Sequence, residues 1–224
     1  ICHLLTLVIG LMNTTYDKQK DELIHPVDVE RNHSQAYQDL FVLTMLGGKK
    51  NGRYLEIGGN HPSEFNNTYL LETEFNWQGI SVEIDERFQS QWTSRSNDCH
   101  LADATTFDWK AAIKKKRWTK KRFDYVSIDC EPPDITLKAL ENLPLDEYRF
   151  SVITFESDLY AHGVECRDKQ RKILNDLGYQ IVARDVANGG NPFEDWWVDP
   201  EVVDEMTWGP FISHHAEART LFIK

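Results

Sequence analysis

The chain has 224 residues, 41% of them hydrophobic and 12% aromatic, a globular composition rather than a disordered or fibrous one. That length fits one α/β domain and leaves little room for a second. With 36 acidic against 25 basic residues the net charge is −11, so no nucleic acid is expected as a partner, because an acidic surface repels phosphate backbones.

Residues 1–12, ICHLLTLVIGLM, are an apolar run too short to span a bilayer. Two readings stand: a targeting or anchor segment, which would place the chain on a membrane or the secretory route, and a packed N-terminal helix. The second is preferred, since no basic stretch precedes the run and no small-residue cleavage site follows it. Any membrane contact is expected through this run alone. Residues 1–33 therefore read as an N-terminal extension and 34–224 as the main domain. Cys2, Cys99, Cys130 and Cys166 form no CxxC pair, which argues against a structural zinc site or a disulfide framework. Reduced thiols and a cytoplasmic location follow as the expectation.

Residues 34–46 set Tyr37, Leu40, Phe41, Thr44 and Met45 on one helical face behind Ser34 as N-cap, and Gly47-Gly48 stops the helix. Strands are then expected at 54–57, 79–84, 99–102, 123–128 and 150–155. Helices are expected between and after them at 67–75, 87–93, 109–116, 135–143 and 166–177. Strands at 180–186 and 220–223 close the domain. The run KKKRWTKKR, 114–122, holds seven basic residues in nine. It could grip phosphate or an anionic membrane, but so short a run is better read as a solvated helix end and loop. Residues 191–200, NPFEDWWVDP, read either as a lid or acceptor wall or as a loop pinned to the sheet edge by its Trp pair.

Five β-then-α steps imply a mostly parallel sheet covered by helices on both faces. Ligands of such sheets bind outside the carboxyl ends of the strands. Every expected strand exit carries an acid: Glu56 before Gly58-Gly59-Asn60, Glu83-Ile84-Asp85, Asp103-Ala104, Asp129-Cys130-Glu131, and Glu156 with Asp158. Any one of these could be a helix cap; five together with a glycine turn point to a site. A dinucleotide needs G-x-G-x-x-G, whereas 58–63 read Gly-Gly-Asn-His-Pro-Ser, so two of the three glycines are missing. A sulfonium nucleoside with an α-amino group, S-adenosylmethionine, suits an acid-opened turn better. Glu83 follows Gly59 by 24 residues, near the spacing at which a second-strand acid reaches ribose hydroxyls.

The segments SQAYQD (34–39), YLEIGGNHP (54–62) with Asn66-Asn67-Thr68, WQGISVEID (77–85), FDYVSIDCE (123–131) and ITFESD (153–158) resemble the FkbM-type branch of the class I S-adenosylmethionine-dependent methyltransferases. The resemblance runs from about residue 34 to 156 and more loosely beyond. It implies a Rossmann-like seven-stranded sheet whose last strand is antiparallel. It also implies that Glu56, Gly58 and Glu83 line the cofactor site and that Asp103 lies by the adenine. Two departures are Asn60-His61-Pro62 in the glycine loop and Glu131-Pro132 after the fourth strand, where the family usually has Glu-Gly.

The candidate cofactor residues are thus Glu56, Gly58, Gly59, Asn60, Glu83, Ile84, Asp103, Ala104 and Asp129. In-line methyl transfer needs positioning and exclusion of water, and an alcohol acceptor also benefits from a general base. Asp129, Glu131 and His162 are the candidates for that role. A divalent metal held by Asp129 and Glu156 is an alternative that no His-rich spacing supports. The expected activity is O-methylation of a small molecule or sugar-type (glycan) acceptor. The competing reading is a catalytically silent binding or scaffold domain, and a nicotinamide-dependent oxidoreductase is disfavoured by the glycine loop.

Overall fold

In the computed structural model, which describes residues 29–223, the chain forms eight strands. These are β1 (Arg53–Ile57), β2 (Gln78–Glu83), β3 (Asp98–Leu101), β4 (Arg122–Ile128), β5 (Arg149–Glu156), β6 (Gln180–Asn188), β7 (Asn191–Val198) and β8 (Ser213–His214). They build one sheet in the order β3-β2-β1-β4-β5-β7-β6-β8. The first five pair in parallel, β7 runs antiparallel to both β5 and β6, and the two-residue β8 joins β6 in parallel. The Rossmann-like, mostly parallel α/β class expected from sequence is the class found, with eight strands rather than seven.

The helices are α1 (Gln38–Met45), α2 (Tyr69–Phe75), α3 (Trp109–Lys115), α4 (Pro133–Asn142), α5 (Leu159–His162), α6 (Val164–Asp176) and α7 (Glu205–Trp208). Because successive strand side chains point to opposite faces, each strand feeds two apolar layers. Tyr54, Tyr125 and Trp196 enter the layer that packs on α1, with Phe41 at its centre. Their chain neighbours Leu55, Val126 and Trp197 enter the other layer with Trp109, Leu140 and Phe150.

Four local expectations are corrected. Residues 191–198 are neither lid nor loop but a strand, in which Trp196 and Trp197 are wholly covered while Asn191 and Phe193, at its start, line the cleft described below. Gly189 and Gly190, at φ 61° and 82°, make the two-residue turn that folds β7 back on β6. Once β7 fills the slot between β5 and β6, residues 220–223 have no antiparallel edge to join. They lie at and beyond a 3₁₀ turn, Ala218–Leu221. Residues 87–93 form two 3₁₀ turns, Glu86–Phe88 and Gln91–Ser94, instead of one helix. Ser34 is not the N-cap residue of α1, which starts after Tyr37 in the left-handed region, yet its hydroxyl accepts from the first-turn Asp39 amide at 3.2 Å and donates to the Asp39 carboxylate at 2.8 Å.

The basic run occupies the end of α3 and the loop before β4, at the amino ends of the strands. Lys116 pairs with Asp98, Lys121 with Glu147 and Arg122 with Asp199. No helix among the described residues is long and apolar enough to cross a membrane. The apolar run 1–12 lies outside the described residues.

Candidate functional site

A cleft of about 970 Å³ opens at the carboxyl ends of β1, β2 and β4. Glu56, Gly58, Gly59, Asn60, Glu83, Ile84, Asp103, Ala104, Asp129 and Glu131 all line it. His162 does not: it is exposed at the end of α5, and Tyr160, two residues earlier, lines the cleft in its place.

The floor is the turn after β1. The Gly58 and Gly59 amides donate to the Val82 carbonyl at 2.9 and 3.3 Å, which holds the turn against β2. Gly58 has φ +75°, and a Cβ there would sit 1.5 Å from the Asp129 carbonyl oxygen. Only glycine lets the exits of β1 and β4 approach so closely. Beneath the turn Glu56 is 1% exposed and accepts from the Thr68 hydroxyl at 2.9 Å and the Ser81 hydroxyl at 2.6 Å. Burial pushes its carboxyl up to about 7. Asn60, at φ 46°, donates its amide to Glu83 at 2.5 Å, and the Asp85 amide binds the other Glu83 oxygen at 2.7 Å. Glu83 is thereby fixed in one orientation at the cleft wall.

His61 has a local role. Its Nδ1 accepts from the Glu64 amide at 3.0 Å, closing the turn that follows. The capping explanation holds for Asp85, whose side chain accepts from the Arg87 amide at the start of a 3₁₀ turn. Asp103 is likewise turned onto the Thr105 amide at 2.8 Å, yet it borders the cleft beside buried Ala104. Between these acids Ile84 is 68% exposed, an aliphatic face with no protein cover.

The far side carries a carboxyl cluster. Asp129 and Glu156 share a hydrogen bond, and Glu156 also bonds Asp158. Burial and the neighbouring charge of Asp129 push the Glu156 carboxyl far up, so it is protonated at neutral pH and donates. Burial also raises Asp129 and Asp158. Behind the cluster burial takes Glu194 up to about 8, while its carboxylate accepts from the Trp196 indole at 2.5 Å. Phe65 and Tyr160 stand exposed at the mouth.

Two features escaped the sequence. Asn67 donates to the Ser127 hydroxyl at 2.9 Å, and its side-chain oxygen is buried without a partner on the cleft lining. Arg95 lies under the loop 59–68 with a side chain 1% exposed. It donates to Glu72 (2.8 Å), the Pro62 carbonyl (2.6 Å), Asn66 (3.1 Å), Tyr54 (3.1 Å) and Thr68 (3.0 Å). Nothing in the run Ser94-Arg95-Ser96 distinguishes that arginine from a surface one.

No protein-family model matches the chain, and no curated protein matches it. Solved structures do. A protein from Klebsiella pneumoniae assigned as an O-methyltransferase is 12% identical over 81% of this chain and 86% of its own, with a TM-score of 0.50. The fold of this chain is the α/β methyltransferase fold. Aeropyrum pernix fibrillarin, a structure with natively bound S-adenosyl-L-methionine, is 18% identical over 74% of each chain at a TM-score of 0.46. An rRNA methylase from Streptococcus thermophilus is 10% identical over 71% of this chain and 94% of its own, at 0.43. The rRNA methylases stand among the structures that match, and the expectation that nucleic acid is excluded as a partner does not hold, because it rested on net charge alone. Net charge averages over a whole surface, whereas an acceptor meets only the part of it around the cleft.

Proposed function

We propose that the chain is an S-adenosylmethionine-dependent methyltransferase of the FkbM type, acting on a hydroxyl oxygen of a small molecule or sugar-type acceptor. The observation that carries the reading is the charge of the cleft. Among the described residues Arg87 is the only Lys or Arg on its lining, and that guanidinium is engaged by Asp85, while Glu56, Glu83, Asp103, Asp129, Glu131 and Asp158 surround the space. A pyrophosphate would find no free cationic partner there, and a ligand with a sulfonium and an ammonium would find several acids. The unpartnered Asn67 oxygen supplies a further acceptor of the kind an ammonium group uses.

In this reading Glu83 accepts the ribose hydroxyls, Ile84 packs on one face of the base, and Asp103 lies at its exocyclic amine beside the small Ala104. Glu56 and Asn67 attract the amino-acid end above the glycine turn. S-adenosylmethionine, when bound, supplies a methyl carbon activated by its sulfonium. Asp129 takes the proton from the acceptor hydroxyl, its carboxylate made more basic by burial. Glu156 donates to Asp129 and fixes its orientation, with Glu131 and Tyr160 on the acceptor side.

S-adenosylhomocysteine at about a hundredfold excess over Kd is expected to raise the Tm by roughly 5–10 °C. Glu83→Ala should remove most of that rise in the same thermal scan. No shift at millimolar ligand would sink the proposal, and tight binding without methyl transfer to sugars, phenols or RNA would favour a silent binding domain.

A further inference from the structure

A second cluster lies away from the cleft. Among the described residues Asp185, His214 and His215 bring one ligand atom each to within 4.8 Å of one another, and none of the three lines the cleft. The backbone creates the meeting point. Asp185 sits in β6 at φ 51°, where the pairing with β7 shifts register between Ala183 and Val186. Such a bulge re-aims a side chain. β8 pairs with β6 through Ala183↔Ser213 and Arg184↔His214, and the His215 amide donates to the Arg184 carbonyl at 3.0 Å. Both imidazoles therefore stand beside the Asp185 carboxylate.

That carboxylate is divided between two jobs. Its Oδ1 accepts from Arg171 at 2.7 Å and faces Arg167 at 3.4 Å. Its Oδ2 has His214 Nε2 at 2.9 Å and His215 Nε2 at 3.8 Å. Ligand atoms on a tetrahedral zinc, with bonds of about 2.1 Å, lie about 3.4 Å apart, between these two separations. The Asp185 side chain is 1% exposed, and those of His214 and His215 are 58% and 50% exposed, so the anchor is rigid and the rings reach solvent.

We propose that Asp185, His214 and His215 form a zinc site at the β6–β8 edge, with water in the fourth position. Two imidazoles and one carboxylate suit zinc and its borderline neighbours, whereas magnesium and calcium require all-oxygen sets. Arg171 holds Asp185 in orientation, as outer partners of metal ligands do. The arginines do not repel the cation: Arg167 and Arg171 are matched by Asp168 and Asp195, each in contact with one of them. The ion ties together strands 29 residues apart in sequence. It also anchors the segment whose Glu217 accepts from the Gly189 and Gly190 amides, next to Asn188 and Asn191 at the cleft rim.

Isothermal titration of the untagged full chain with zinc chloride tests the site, with magnesium chloride as control. One zinc per chain is expected, magnesium should give no heat, and free zinc about tenfold above Kd should raise the Tm by roughly 3–5 °C. Single His214→Ala and His215→Ala variants should each weaken zinc binding at least about tenfold while keeping the zinc-free Tm, since both rings are exposed. Affinity unchanged in both variants would assign the zinc to cysteines or other groups, and no stoichiometric binding would reduce the cluster to an ordinary His–carboxylate hydrogen bond. Either result overturns the proposal, independently of whether S-adenosylhomocysteine binds.

Discussion

Gly58→Ala is expected to destroy the cleft. The methyl group would have to occupy a point 1.5 Å from the Asp129 carbonyl oxygen, and that atom belongs to backbone tied to β1 by the Asp129 amide on the Ile57 carbonyl at 3.0 Å. Neither strand exit can retreat without breaking the sheet. The left-handed backbone adds about 1–2 kcal/mol to the overpacking cost, for a total of about 4 kcal/mol or more. A control separates the two contributions. Gly163 has the same φ of +75°, with ψ −164° in a region almost closed to other residues, and nothing within 4 Å of where a Cβ would sit, so Gly163→Ala should lose only a backbone part of about 1–3 kcal/mol. Urea midpoints of the two variants check this: a large fall for Gly58→Ala and a small one for Gly163→Ala. Equal falls would show that contact with Asp129 is not the reason for the glycine.

Arg95→Met is expected to cost about 3–5 kcal/mol, because it strands the Glu72 carboxylate in the interior. Arg95 is held between the Tyr69 and Trp92 rings, at 5.6 and 5.1 Å, and its bonds to Pro62 and Asn66 tie down the loop that carries Asn60. Methionine fills the volume but supports none of those oxygens. Lysine, with a single ammonium and no planar fork, should not restore them. The loss is pH-dependent. Burial alone would raise the Glu72 carboxyl, yet Arg95, Ser96 and Asn97 bring it from 4.5 down to about 2. A depressed pKa stabilises the fold above the unfolded value, and that stability drains away as pH falls from about 4.5 toward 2. Hence the deficit of Arg95→Met should be large at pH 7 and shrink below pH 4. Glu72→Leu added to Arg95→Met should recover part of it. A constant deficit across that range in chemical denaturation would mean that the arginine acts through packing alone.

The parallel half of the fold was legible because buried parallel strands are short apolar runs, and β1, β2, β4 and β5 each contain one, while the half-exposed edge strand β3 followed from the β-then-α alternation. The glycine turn and the acids at the strand exits were legible for a related reason: they are local chemistry at fixed places in a repeating unit. β7 was hidden because its acids imitate a loop. Glu194 and Asp195 are buried, and Asp195 is satisfied by Gln170 and Arg171 from α6, a partnership no local pattern reveals. The one local clue was Gly189-Gly190 between Asn188 and Asn191, a two-residue hairpin signal. Arg95 and Asn67 were hidden more deeply, since their roles arise from residues up to 60 positions away. His162 was selected for its chemistry alone, and the αL residue Asp158 starts α5 so that Tyr160 instead reaches the cleft.

The most direct test of the cofactor site is a crystal of the chain grown or soaked with S-adenosylhomocysteine. Ribose hydroxyls on Glu83, the base over Ile84 beside Asp103 and Ala104, and the sulfur turned toward Asp129 are the expected result. Density for the ligand outside this cleft, or none at millimolar concentration, would contradict it.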